Sequence, residues 1–183
     1  MIASRRSVLA AAAASLASAE ISMSATGVSA LPRSDLVTDQ EVADLTRWSA
    51  DAHTALMCGD LSRYLTLITL ADDFTLMAPF GGKPTRGSEL SSERWAAIGR
   101  FFRNCERAQL ELVQSYRSTD MVVLAIIERA HVGVGGLPEQ DWALRVTLVY
   151  RRDGAEWRLA HRHADPLVTP ISLVRSATLA RGA

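Results

Sequence analysis

Lysine is almost missing from this chain: of 20 basic residues, Lys83 alone is not an arginine. Those 20 are matched by 20 acidic residues, so no basic excess exists to attract phosphate backbones, which argues against nucleic acid as a partner. Cysteine is scarce as well. Cys58 and Cys105 are the only two, and no Cys-x-x-Cys pair exists, which removes zinc-ribbon readings. No apolar run is long enough to span a membrane. Nucleophile elbow, paired glycosidase carboxylates and dinucleotide loop are all missing. The glycine-bearing segment Gly81-Gly82-Lys83-Pro84-Thr85-Arg86-Gly87 has the wrong spacing to cradle phosphate. Nothing in the pattern calls for a cofactor.

The first residues read as an address. Ser4-Arg5-Arg6-Ser7-Val8-Leu9 sets two arginines before an apolar run to Leu16, and Ala17-Ser18-Ala19 offers the small-x-small pattern of a signal-peptidase site. The arginine pair resembles a twin-arginine export signal, which implies a periplasmic or secreted protein. A second cleavage pattern follows at Val28-Ser29-Ala30. Cutting after Ala19 leaves 18 basic against 20 acidic residues. The expected organisation is a signal over 1–19, a linker over 20–38, one domain over 39–168 and a tail over 169–183. A domain of that size supports a sizeable core. An oxidising compartment permits a Cys58–Cys105 bridge, but two separate half-buried thiols are the favoured reading.

Thr38 or Asp39 caps a first helix, with Val42, Leu45, Ser49, Ala52 and Leu56 at helical spacing and Trp48, His53 and Met57 beside that stripe. Gly59-Asp60 ends it and begins a second helix over 61–70. Asp72-Asp73 breaks the pattern before a strand over 74–80, where Pro79 predicts an edge or a bulge. Ser88 caps a third helix running to about Asn104. Long strands follow over 109–118, 121–134 and 142–150, and Asp153-Gly154 makes a tight hairpin into a last strand. Helices first and then an antiparallel meander read as α+β. The tail beyond Thr169 is expected to form a short helix or to pack on a partner.

The last strand carries the most chemistry. Alternation puts Trp157, Leu159, His161, His163 and Asp165 on one face, and the apolar end of that face predicts burial. His161 or His163 can then serve as a general base near neutral pH, tuned by the other ring or by Asp165. The same trio is a mixture suited to zinc or non-haem iron. Along a straight strand, however, its ends lie about 13 Å apart, so one ion needs a further ligand such as His53 or His131. On the strand 121–134 both faces are apolar. One brings Glu128 inward and the other Arg129 with His131, and either requires a partner for a buried charge. Trp48, His53, Tyr64, Trp95, Glu128 and Trp157 are the candidate ligand contacts, with Phe101, Phe102 and Trp142 as further aromatic lining. Arg145 and Thr147 are expected to face away from the core.

Four segments together resemble the NTF2-like superfamily, in its SnoaL-like and ketosteroid-isomerase-like branch. They are Ala55-Leu56-Met57-Cys58-Gly59-Asp60-Leu61, Asp73-Phe74-Thr75-Leu76-Met77-Ala78-Pro79, Gly87 before a helix, and Gly154-Ala155-Glu156-Trp157-Arg158-Leu159-Ala160-His161. The resemblance implies a cone-shaped barrel: a curved, mostly antiparallel sheet with three helices of the N-terminal half on its concave face, an apolar pocket, and often a homodimer formed through the sheet. Isomerases, cyclases, dehydratases and non-catalytic binding or assembly modules share this fold, so fold analogy alone selects no activity. The ketosteroid-isomerase trio and the Asp-Arg-Asp set of the epoxide hydrolases are not recognisable here. The expectation is an exported protein holding a small, largely apolar organic molecule. Its chemistry would be proton transfer or hydration and dehydration on a strand histidine. The alternatives are a non-catalytic assembly module and a metal-dependent enzyme using His161 and His163.

Overall fold

A computed structural model describes residues 36–181. The expected signal and both cleavage patterns lie outside the described residues. Element order is α1 (Asp39–Met57), α2 (Leu61–Leu67), β1 (Leu70–Met77), β2 (Thr85–Arg86), α3 (Ser92–Phe101), β3 (Phe102–Arg117), β4 (Met121–Val134), β5 (Gln140–Asp153), β6 (Glu156–Pro166) and α4 (Leu173–Ala180). The strands form one six-stranded sheet in the order β2-β1-β6-β5-β4-β3, open at both edges. Every pairing is antiparallel except β1 with β6. This is the curved, mostly antiparallel α+β arrangement that the sequence implies.

Alternation on β4 and β5 builds the inner wall. Val122, Leu124, Ile126, Ala130 and Val132 are buried, and Leu144, Val146, Leu148 and Tyr150 face the same side opposite them. Arg145 and Thr147 look the other way, as expected. Helix α1 covers the wall with Val42, Leu45 and Ala52, which join Leu124, Ile126 and Leu148 in one cluster. Burying a side chain of Leu45's size contributes roughly 1.5–3 kcal/mol. Thr38 is the cap: its hydroxyl accepts from the Glu41 N–H, and the Glu41 carboxylate accepts from the Thr38 N–H at 2.9 Å, which satisfies two free donors of the first turn.

Several boundaries differ from the sequence reading. Helix α2 stops at Leu67, and β1 includes Asp72-Asp73, in the irregular stretch where its pairing with β6 shifts between Leu70 and Thr75; Asp73 points outward into a two-pronged pair with Arg151 (2.8 and 3.0 Å). Pro79 follows the end of β1 and marks neither an edge nor a bulge within it. Ser91, not Ser88, caps α3. Strand β3 begins at Phe102, where the sequence predicts helix, since Phe102 pairs with Val134. Cys105 therefore lies on a strand rather than at a helix end.

The largest correction concerns β6. Tyr150 pairs with Leu159, but the next pairing is Val149 with His161, so Ala160 is an extra residue in the ladder. Such a bulge reverses side-chain parity beyond it. Trp157 and Leu159 face inward as predicted; after Ala160 the inward residues are Arg162 and Ala164, opposite Leu148 and Val146. His161, His163 and Asp165 turn to the outer face.

Candidate functional site

The inner face of β4 places Glu128 where its strand neighbours Ile126 and Ala130 are buried, and Glu128 itself is 3% exposed. A carboxylate there needs compensation. Arg162, turned inward by the bulge at Ala160, supplies it in the planar two-pronged geometry that guanidinium and carboxylate share. Nη1 donates to Oε1 at 2.8 Å and Nη2 to Oε2 at 2.7 Å. Burial pushes the Glu128 carboxyl upward. The charge of Arg162 and the hydrogen bond from His53 outweigh burial, and the net result is well below the usual carboxylate range. Burial works against the Arg162 cation too, but the Glu128 charge more than restores it, so its value stands above the ordinary one.

Helix α1 adds His53, one turn beyond Ser49 on its buried side. The ring's Nδ1 lies 3.3 Å from Glu128 Oε2, and its Nε2 lies 3.2 Å from the Arg129 carbonyl oxygen. Both neighbours are acceptors. An imidazolium donates to both; a neutral ring donates to only one. Ser49 gives its hydroxyl hydrogen to the Leu45 carbonyl (2.7 Å), so Tyr150 OH, 2.8 Å from Ser49 Oγ, is the donor in their shared bond. Burial raises Tyr150 above the usual phenol range, and burial likewise raises Tyr64. Tyr64 enters from α2, and its hydroxyl has no protein partner among the described residues.

These groups close on a cavity of about 20 Å³ lined by His53, Tyr64, Glu128, Tyr150 and Arg162, with Ile68 and Leu148 as apolar walls. That volume holds one water molecule, with polar partners at hand to bind it. Of the residues singled out from sequence, His53, Tyr64 and Glu128 line this cavity. Trp95 lies behind Tyr64, with ring centroids 5.8 Å apart. Trp157 lies under the Arg152 guanidinium (4.6 Å), and Trp48 is 39% exposed. Neither lines the cavity. The sequence reading missed Arg162, Tyr150 and Ser49. The requirement that a buried Glu128 find a partner was the signal for Arg162, but uninterrupted alternation places that arginine outside.

On the outer face His161 Nδ1 is 2.8 Å from Thr75 Oγ1, and the two imidazoles are 6.5 Å apart. Burial, then the charge of His163, lowers the His161 pKa; the contact with Thr75 opposes them. Asp165 accepts from Arg145 Nε at 2.5 Å. His163 and Asp165 border an open recess of about 210 Å³ with Val113, Ala125 and Ile127. A wider one of about 340 Å³ lies farther along the sheet, between Arg107, Arg129, His131 and Asp141. Its charges are paired in part, Arg129 with Glu111 at 2.7 Å and His131 with Asp141 at 2.9 Å. Among the described residues no three His, Cys, Asp or Glu side chains converge as a metal-ligand set.

A family profile described as the SnoaL-like domain matches residues 47–169. A search of curated proteins gives no significant match. Among solved structures, an NTF2-like protein from Cytophaga hutchinsonii is 13% identical, covering 72% of this chain and 100% of its own, with a TM-score of 0.55. A candidate dehydratase of the NTF2-like family from Streptomyces avermitilis is 21% identical over 72% of this chain and 99% of its own, at 0.52. A candidate calcium/calmodulin-dependent protein kinase type II association domain from Thiobacillus denitrificans is 22% identical over 66% and 93%, at 0.51. At these identities the likeness establishes the fold.

Proposed function

The chain belongs to the SnoaL-like domain family of the NTF2-like superfamily, and on that premise we propose that it binds a small, largely apolar organic molecule inside its cone. The observation that carries this is the buried set Glu128, Arg162 and His53 beneath Tyr64. A core built for stability alone gains little from a buried ion pair, which apolar residues of similar volume replace without loss. A few convergent polar groups in an apolar hollow are instead the pattern of a ligand site. The ligand's apolar body takes the space between Ile68, Leu148 and Leu159, and its oxygen meets Tyr64 or Arg162. A cavity of about 20 Å³ is too small for such a molecule, so binding requires α2 and α3 to swing outward. Neither helix has a fully buried residue.

Chemistry on the ligand is proton transfer or hydration and dehydration, in keeping with the candidate dehydratase among the fold neighbours. His53, held between Glu128 and the Arg129 carbonyl, is the proton-carrying group, in place of the strand histidines on the far face. The protein acts after twin-arginine export, in the periplasm or outside the cell. The test is a thermal-shift and native mass-spectrometric screen of small organic molecules on the full chain, followed by Tyr64→Phe and His53→Gln. Binding weakened about tenfold or more by either change supports the site. Unchanged affinity in both variants overturns it.

A second reading has its own observation. The outer face of the sheet carries Val123, Ala125, Ile127 and Val149, and Val113 and Tyr116 are each 60% exposed. An apolar face of this kind suits a homodimer or larger assembly, and one fold neighbour is described as an association domain. Light scattering on the wild type and on Val113→Arg tests it: a dimer that the arginine splits supports assembly, and a monomer at all concentrations removes it.

A further inference from the structure

We propose that Cys58 and Cys105 form a redox-dependent disulfide that staples the end of α1 to the start of β3. This inference does not rest on the ligand-binding reading. Cys58 is the C-cap of α1, exposed, with its Sγ 4.0 Å from the Cys105 carbonyl oxygen. Cys105 packs against the buried cluster that includes Met57 and Phe102, residues of the same junction. The backbones meet closely there. Gly59 has φ +75°, and a Cβ on it would sit 3.2 Å from the Phe102 carbonyl oxygen. Strand β3 is irregular between Arg103 and Arg107, with Asn104 in the left-handed region at φ +58°. That irregularity lies where the Cys105 backbone meets the Cys58 thiol at the end of α1. Both thiols are free in this structure. Burial, then the hydrogen bond and charge of the Cys58 thiol, push Cys105 up to about 12.

The exposed thiol reacts first. Its thiolate attacks the sulfur of a small-molecule or protein disulfide, forming a mixed disulfide and releasing one thiol of the oxidant. Cys105 then attacks the Cys58 sulfur: the intramolecular bond forms, the mixed disulfide breaks, and the departing thiolate takes up the Cys105 proton. Two cysteines are oxidised and one external disulfide is reduced. The bond spans 47 positions and encloses α2, β1, β2 and α3, the segment that covers the cavity and carries Tyr64. Closing so long a loop restricts the unfolded chain strongly.

The test treats the reduced full chain with oxidised glutathione, then counts free thiols and maps peptides without reduction. The expected result is loss of both thiols, one linked peptide containing Cys58 and Cys105, and a Tm higher by on the order of 10 °C than with dithiothreitol. Cys58→Ser and Cys105→Ser should each abolish that redox-dependent shift. Two free thiols after oxidation, glutathione retained on Cys58, a disulfide between two chains, or a linked peptide with unchanged Tm would each overturn the staple. None of these outcomes touches the ligand screen, so the two ideas fail separately.

Discussion

The two faces of β6 carry similar residue types and use them in opposite ways. On the inner face Arg162 meets Glu128, with side chains 17% and 4% exposed; on the outer face Arg145 meets Asp165, with side chains 60% and 39% exposed. The Arg145 contact is the shorter at 2.5 Å, against 2.7 Å for Arg162, yet distance does not decide which matters. Water screens the outer pair and solvates either partner left alone. The inner pair has no such recourse, because either charge without the other is stranded in an apolar wall. One extra residue, Ala160, decides which arginine or histidine enters which environment.

The largest expected effect tests that contrast directly. Arg162→Ala should cost about 3–5 kcal/mol of stability in urea unfolding, and Asp165→Ala no more than about 1 kcal/mol. Equal costs would show that the parity reversal at Ala160 is not present in solution. The double variant Glu128→Leu with Arg162→Met should recover most of the loss, since no charge is then left buried. The acid limb sharpens the point. Glu128 is held below its unfolded value of about 4.3, so its contribution is fully present above that value and is lost as pH falls through the lower, folded one. The stability gap between wild type and Arg162→Ala should therefore narrow below about pH 4.

Much of the fold was legible because periodicity and caps are local. The stripe Val42, Leu45, Ser49 and Ala52 is buried as read, the Thr38 cap is in place, and the Asp-Gly hairpin leads into the last strand. The start of β3 was illegible because Phe101-Phe102 fits a helical stripe, while long-range pairing of Phe102 with Val134 overrides it. Within the site, His53, Tyr64 and Glu128 were identified as chemically apt residues on amphipathic elements. Arg162 was not, for a different reason. A bulge is fixed by how neighbouring strands register, here β1 and β5 on either side of β6, and Leu159-Ala160-His161 contains no glycine or proline to announce it. A strict period of two then assigns every later residue to the wrong face.

A middle-sized effect compares two hydroxyl contacts. Tyr150→Phe removes the donor to Ser49 inside the cone, and unfolding should show a loss of about 1 kcal/mol. The loss stays modest because Ser49 keeps its own bond to the Leu45 carbonyl. Thr75→Val removes the partner of His161 outside, where water replaces it, and should fall within about 0.5 kcal/mol. A larger cost outside than inside would reverse the assignment of the faces.

The smallest effect is a titration, and it asks whether the outer face is electrically a site at all. His161 is held below the ordinary imidazole value of about 6.5 by burial and then by the charge of His163, with Thr75 opposing. Protonation therefore favours the unfolded chain, and any stability linked to this ring is lost as pH falls through about 6.5. Replacing His163 with Ala removes the second cause and leaves the first. The His161 midpoint, followed by NMR of the ring protons, should rise and still lie below the ordinary value. If it does not move, the two rings are too well screened to tune one another, and the outer face loses the feature that singled it out in the sequence. If it rises past the ordinary value, burial is not the main cause, and His161 is more open to water than its place beside Thr75 allows.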